Sequence, residues 1–502
     1  MRWDALSVEI SAVCLGILLS APSGEIQTAA AVERRSVISV PQGNEEVCAS
    51  IYRPGQAPGR TGETPIRLGP GPHLFIDDFL IETASKLKRR VNSPLRDPEI
   101  PNPIVTGKED GNFQPYMTVI RDPLSGRYRI WYGSWTHGRD AGASHVATME
   151  SLDGIHWIRP PRVVADPGPI QFGSSVVDEG PGFADPAKRY KLAWWHGGGL
   201  KIAVSPDGLD WTMLAREPVL KHNHDINNLF RDPTGQRYLA TISVFTTGRA
   251  WKGDRRVTMH STSRDLLHWE KPWYVLTPDD NVDQGQTQFY AMSGYLVRGG
   301  LWIGLVKVLR DDRVAPGTPP GSYGVGYTTL AWSRDGRHWV RDQAPYFEPD
   351  PKPGAWDHAH AWLDFQLPVG DEVFIYYGGY KSGHKVNRFE ERQIGLVRIL
   401  KDRYVARDAG PEEGLLRTPP VMLAADKMSL NAKVDGRLQV RLLDLEGRPI
   451  AGFDADDCGP IRGDSVAHPV RWAKPLAGLR DKPVRIEFHL RDAQLYGLEL
   501  VP

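Results

Sequence analysis

Cysteine is nearly absent: the 502 residues hold three, at positions 14, 48 and 458. That excludes a disulfide scaffold and a cysteine-built metal site, both of which need several thiols at regular spacing. Cys48 and Cys458 are expected to stay unbonded to each other. Net charge is absent too, with 61 basic and 61 acidic residues. No electrostatic argument for nucleic acid or an anionic membrane surface survives that balance. Long apolar runs are lacking. The stretch from Ile10 to Ala21 has the length of a signal-peptide core and is too short to span a bilayer. Small residues at Ala21, Ser23 and Ala29 to Ala31 offer cleavage sites. Residues 1–31 are therefore expected to be a signal peptide, and the mature chain secreted or periplasmic. Long helical patterns are missing as well, which argues against an α-helical architecture.

Glycine (51), proline (41) and tryptophan (16) are plentiful, a mixture that suits many short strands joined by tight turns. The chain is organised around a heptapeptide that returns. Ser151 to Trp157 reads Ser-x-Asp-Gly-x-x-Trp, and the same pattern stands at Ser205 to Trp211 and at Ser333 to Trp339. A fourth copy, Ser263 to Trp269, has Leu266 in place of the glycine. Self-similarity at a period of roughly 50 residues or a little more points to a propeller or another stacked array. Asp-Gly is a tight-turn dipeptide in which glycine takes positive φ, while the Ser and Asp side chains bond nearby amides. The tryptophan then covers a sheet edge or packs between sheets. This motif is expected to be structural.

Around each turn lie short apolar or alternating segments, such as Tyr116–Ile120, Tyr128–Tyr132 and His145–Met149 in the first unit. The order recurs through a fifth unit, which contains Val373–Tyr377 and Ile394–Val397 but lacks the Ser-x-Asp-Gly turn. The expected fold is all-β: a five-bladed β-propeller over residues 73–408, followed by a small β-sandwich over 415–502. Residues 32–72, rich in Pro, Gly, Arg and Glu, are expected to be a disordered leader.

In a propeller the first strand of each blade lines the axis, so a site is assembled at the strand entrances. Those entrances carry Glu109, Asp110 and Asn112; Gln171; His224, Asp225, Asn227 and Asn228; Asp283, Gln284, Gln286 and Gln288; and Asp357, His358 and His360. A ring of carboxylates, amides and imidazoles is what glycosidic bond cleavage requires: one acid protonates the departing oxygen, and a second carboxylate attacks or activates water. The candidate catalytic set is Asp110, Asp225, Asp283 and Asp357. The candidate substrate-binding set is His224, Gln286, Tyr290, His358, His360, Trp135 and Trp195, the tryptophans stacking on sugar faces with Phe245. His358 and His360 alternate as on one face of a strand, a spacing that serves hydrogen bonding more often than metal. No metal or cofactor is expected, and carbohydrate is the expected partner.

With these turns and five units, residues from about 105 to 405 resemble the five-bladed propeller glycoside hydrolases, the superfamily that includes families 32, 43, 68 and 117. The lead-in Leu74-Phe75-Ile76-Asp77-Asp78-Phe79-Leu80-Ile81, and Tyr376-Tyr377-Gly378-Gly379 followed by Ile394-Gly395-Leu396, look like a family 32/43-like group of secreted bacterial proteins. Ser429-Leu430-Asn431, Arg448-Pro449-Ile450 and Gly452-Phe453 resemble the β-sandwich appended to that group. The resemblance implies that Asp110 matches the first-blade base or nucleophile and Asp225 the mid-propeller aspartate that stabilises the transition state. It also implies an acid from a middle-blade glutamate. No Glu stands at the third or fourth entrance, so Asp283 or Asp357 would substitute. The rival expectations are a carbohydrate-binding propeller without catalysis, and a structural or protein-binding propeller.

Overall fold

The computed structural model describes residues 48–55, 64–135, 144–235 and 237–502. The expected signal peptide lies outside the described residues. Within them the chain is all-β, and no helix is long and apolar enough to cross a membrane.

Five antiparallel meanders follow one another. The first runs through Asn112–Arg121, Tyr128–Trp135, Ser144–Ser151 and Arg162–Val163. The second has Phe172–Asp178, Tyr190–Trp195, Gly199–Ser205 and Thr212–Met213. The third has Asn227–Asp232, Arg237–Thr246, Arg255–Ser263 and Trp273–Leu276. The fourth has Thr287–Arg298, Leu301–Val314, Tyr323–Ser333 and Trp339–Arg341. The fifth supplies only His360–Val369, Glu372–Tyr380 and Gln393–Leu400. Its outer edge is met instead by the segment that precedes the first meander, through bridges from Leu95 to Arg398 and from Val105 to Ile394. Asn102 reinforces that edge, its side chain donating to the Leu396 carbonyl and accepting from the Leu396 amide, each at 2.8 Å. The segment that leads into the five-unit array thus hydrogen-bonds to the strand that closes it.

The first strands touch in cyclic order, each meander's against the next and the fifth's against the first. The contacts are polar as well as apolar. Thr118 Oγ1 accepts the Val176 amide and Ser175 Oγ accepts the Leu229 amide, both at 2.9 Å.

The repeated turn forms as its residues require. Ser151 Oγ accepts the Gly154 amide at 2.9 Å, and Asp153 Oδ1 accepts the amides of Ile155 and His156 at 2.9 and 2.8 Å. Gly154 takes φ +77°. In the fourth-copy turn Leu266 adopts φ +69°, a conformation that costs a side-chain-bearing residue about 1–2 kcal/mol; burial of its side chain to 3% exposure offsets this. Two of the turns also reach a neighbouring meander. The Gly208 carbonyl accepts from Trp131 Nε1, and the Gly154 carbonyl accepts from Tyr376 Oη, both at 2.9 Å.

After the fifth meander the chain builds a ten-stranded system around the long strands Lys427–Leu443 and Pro483–Val501. Alternating apolar residues such as Leu430, Val440, Leu442, Ile486, Phe488 and Leu490 form its core, as period-two patterning requires. Its membership corrects the expected boundaries. Ile66–Leu68, Gly71–Leu74, Thr83–Ser85 and Leu87–Val91 pair with late strands, so the stretch expected to lead into the ring belongs to this C-terminal unit. Even Ser50–Ile51, within the expected disordered leader, pairs in parallel with Val340 and Arg341. Edge pairing uses backbone groups, to which composition is blind. Cys48 and Cys458 form no disulfide.

Candidate active site

First strands begin, and second strands end, at the same mouth of the ring of first strands. Residues just before the former and at the close of the latter therefore converge there. Asp225 and His224 precede the first strand of the third meander, and Gln288 opens that of the fourth. Asp311 lies near the end of the fourth meander's second strand; because Gln288 pairs with Leu309, alternation puts Asp311 on the same face as Gln288. Residues 381–392, linking the second and third strands of the fifth meander, bring His384, Lys385, Arg388 and Arg392.

Arg256 is the hub. Its Nε donates to His224 Nε2 at 2.9 Å, and its Nη1 donates to Gln288 Oε1 at 2.6 Å and to Asp311 Oδ2 at 3.2 Å. Gln288 Nε2 completes the circuit to Asp311 Oδ2 at 2.7 Å. On the other side, His224 Nε2 lies 3.3 Å from Asp225 Oδ1. The two carboxylates are 31% and 34% exposed, whereas His224 is 8% exposed at its side chain. Two reachable carboxyl groups therefore flank the largely buried His224 and Arg256. Tyr290 lies beneath, its ring 5.0 Å from the Arg256 guanidinium carbon and its hydroxyl 3.1 Å from His384 Nε2.

Burial keeps the imidazoles of His360 and His384 neutral. Burial holds His360 well below the usual histidine range, and Arg392 adds to the effect. Burial does the same to His384, with Arg256, His360 and Arg392 contributing. Each cation makes the next harder to charge, as close like charges must.

Of the expected site residues, the fold brings together Asp225, His224, Tyr290 and His360. His360 is fully buried, with its ring 4.7 Å from Trp362, 4.6 Å from Tyr380 and 5.7 Å from His384. Trp135 and Trp195 are the last residues of second strands. Trp135 is already stacked on Phe389 at 3.8 Å, and Trp195 Nε1 donates to the His222 carbonyl at 3.4 Å.

The other three carboxylates are occupied elsewhere. Arg159 clamps Asp110 with Nε at 2.7 Å and Nη2 at 2.8 Å, and the Thr106 amide donates to the same carboxylate at 2.8 Å. Arg341 grips both oxygens of Asp283 at 2.7 and 2.9 Å. Asp357 accepts from Arg96 and from the Tyr377 hydroxyl at 2.8 and 2.9 Å. All three are at least nine-tenths buried. Each anchors a strand entrance to an arginine far away in sequence, which leaves little capacity for proton transfer. His358 sits apart too, both ring nitrogens 2.7 Å from backbone carbonyls, of Asp350 and Pro316. Gln286 is exposed, and its backbone amide serves Asp312.

Asp283 and His358 line a different space, a cavity of about 850 Å³ shared with Thr287, Arg310, Tyr327 and Tyr346. Thr287 and Arg310 are register partners on the face opposite Gln288 and Asp311. One strand pair therefore separates the Arg256 cluster from this cavity. No group of His, Cys, Asp and Glu among the described residues is placed to hold a metal ion.

Arg256, Asp311, His384, Arg388 and Arg392 were not singled out in the sequence. The available signal was positional: Trp135, Trp195 and Phe245 mark the ends of second strands, and Asp311 is the fourth meander's counterpart.

No family model matches the chain. An uncharacterized protein of Mycobacterium tuberculosis is 32% identical over 123 residues, which is 23% of this chain and 39% of that relative. The chain thus matches well under half the length of that relative. Among solved structures, a glycosyl hydrolase from Bacteroides ovatus aligns over 63% of this chain and 96% of its own, at 14% identity and a TM-score of 0.44. The exo-β-1,3-galactanase of Phanerochaete chrysosporium aligns over 82% and 99%, at 10% identity and a TM-score of 0.38.

Proposed function

We propose that the chain is a carbohydrate-active protein, a five-bladed β-propeller with a C-terminal β-sandwich, that hydrolyses a glycosidic bond at the axial mouth. The observation that carries this reading is the placement of Asp225 and Asp311, two solvent-reachable carboxyl groups linked through His224 and Arg256. Glycoside cleavage needs two carboxyl groups with unlike environments. Asp311, held in place by donors from Arg256 and Gln288, suits the base or nucleophile. Asp225 supplies the second carboxyl, to protonate the leaving oxygen or to stabilise positive charge developing on the sugar. Trp195 flanks the mouth as a stacking surface. The N-terminal apolar stretch exports the protein, so that it meets its glycan outside the cytoplasm.

The test is product release from a panel of aryl glycosides and polysaccharides, comparing the wild type with Asp225→Asn and Asp311→Asn, each checked for folding. Loss of turnover by at least about a hundredfold in both is expected. Retained turnover in either folded variant would remove that residue from the chemistry. A second reading, glycan binding without hydrolysis, is favoured by the arginine clamps on Asp110, Asp283 and Asp357, which leave few carboxyl groups open. Saturable binding with no turnover on any substrate would select it.

A further inference from the structure

Two guanidinium groups at the axial mouth, Arg388 and Arg392, have no carboxylate within ion-pair distance among the described residues, and the nearby His360 and His384 are neutral. Arg256 is matched by Asp311. Arg392 is 5% exposed and bonds only backbone carbonyls, those of Phe113 at 3.0 Å and His384 at 2.9 Å. Its Nε has no hydrogen-bond partner. Arg388 lies over the rings of Phe113 and Phe172 at 5.4 and 5.9 Å; its Nε is likewise buried and without a partner, and no carboxylate lies within ion-pair distance among the described residues.

A buried guanidinium without a counter-ion is costly, because the low surrounding dielectric withdraws hydration and returns nothing. Two of them side by side cost more, since each repels the other. Such an arrangement is relieved by an anion that supplies paired oxygens to the planar forks. Apolar rings hold Arg388 in place, so its entropy is largely spent before a ligand arrives.

We propose that the axial mouth takes a glycan carrying a negative charge, a uronate carboxylate or a sulfate ester, with the charge seated on Arg388 and Arg392. This assignment rests on the reading of the mouth as a glycan site and names its substrate class. The neutral part of the sugar lies towards Asp225 and Asp311, and the charge lies towards the 381–392 segment. Lys385, which is exposed, draws the anion in from solvent.

The test measures binding by calorimetry and product release in parallel, with the full chain and three oligosaccharides of equal length: an oligogalacturonide, a sulfated galactan fragment and a neutral galactan fragment. At least about tenfold tighter binding of one charged ligand is expected, weakening as salt rises. The carboxylate and sulfate arms decide between the two charges. Arg388→Gln should remove most of that preference while binding of the neutral fragment changes less than about twofold. Lys385→Gln, at an exposed position, should weaken charged binding by a smaller factor. Equal or tighter binding of the neutral fragment, or folded variants that bind the charged one unchanged, would overturn the proposal. Turnover of neutral glycan alone would overturn it while leaving glycoside hydrolysis standing. Charged binding without turnover would keep the charge assignment and remove hydrolysis. No binding and no turnover with any ligand would remove both.

Discussion

Lys307 and Asp364 form a fully buried ion pair, with side chains 0% and 1% exposed. Lys307 lies on the second strand of the fourth meander and Asp364 on the first strand of the fifth. The same carboxylate accepts the Met117 amide of the first meander at 2.8 Å and the Ser293 hydroxyl of the fourth at 2.9 Å. One carboxylate therefore joins three neighbouring meanders at the point where the chain's last unit meets its first. Removing a single partner strands a charge in an apolar interior. Asp364→Ala is expected to lower unfolding free energy by about 3–5 kcal/mol, read as a shifted urea midpoint. The double variant Lys307→Met, Asp364→Leu should recover a large part of that loss. No recovery would mean that the hydrogen bonds to Met117 and Ser293, rather than the ion pair, do the joining.

Asp110 separates an anchoring role from a catalytic one. Its carboxylate is 1% exposed and clamped by Arg159, whose side chain is 40% exposed. Because the arginine can rehydrate when the pair is broken, the cost sits at or below the low end for buried pairs. Asp110→Asn is expected to destabilise by about 2–3 kcal/mol with turnover per folded molecule unchanged. A fall of a hundredfold or more in turnover, with stability unchanged, would return Asp110 to the catalytic pair.

Acid should unfold this protein from mildly acidic pH downwards. Burial pushes His260 from 6.5 down to about 3 and His222 down to about 4. His260 sits among Trp273, Trp339 and Tyr295, and its Nε2 is 2.8 Å from the Tyr295 hydroxyl. The unfolded chain takes up a proton near pH 6.5, whereas the folded chain resists until much lower pH. Unfolding therefore absorbs protons throughout that window, and stability falls as pH drops. For a histidine this deeply shifted the loss at pH 5 is about 2 kcal/mol. His260→Phe should flatten the pH dependence of stability, read from the urea midpoint, between pH 7 and pH 5 by roughly that amount. An unchanged slope would show that His260 is protonated in the folded state.

The Ser-x-Asp-Gly-x-x-Trp turns, the five units and the strands within them were legible because each is local. Turn chemistry and apolar runs need only neighbouring residues. Strand entrances were legible for the same reason, and with them Asp225, His224, Tyr290 and His360. What lay beyond reach was long-range pairing. Nothing near Asp283 in the sequence announces Arg341, and nothing near Asp357 announces Arg96, so an aspartate that anchors looks the same as one that reacts. The pairing of residues 66–91 with strands more than 300 positions later escaped for the same reason. Asp311 was within reach, since antiparallel pairing brings the end of each second strand beside the start of its first.

The turns should also report on the contact between first and fifth meanders. Gly154 has φ +77°, and a Cβ placed there would lie 2.7 Å from the Tyr376 hydroxyl, which belongs to the fifth meander, and 3.1 Å from the Tyr128 ring. Gly180 has a similar φ, +86°, with nothing within 4 Å. Both substitutions by alanine pay the left-handed backbone cost of about 1–2 kcal/mol. Only Gly154→Ala must also displace Tyr376 and lose its hydrogen bond to the Gly154 carbonyl. It is therefore expected to cost about 1–3 kcal/mol more than Gly180→Ala, measured as the difference between their urea midpoints. Adding Tyr376→Phe should relieve the crowding, so that the Gly154→Ala cost shrinks towards the Gly180→Ala value in that background. Equal costs for the two glycines would mean that the turn of the first meander does not bear on the fifth in solution.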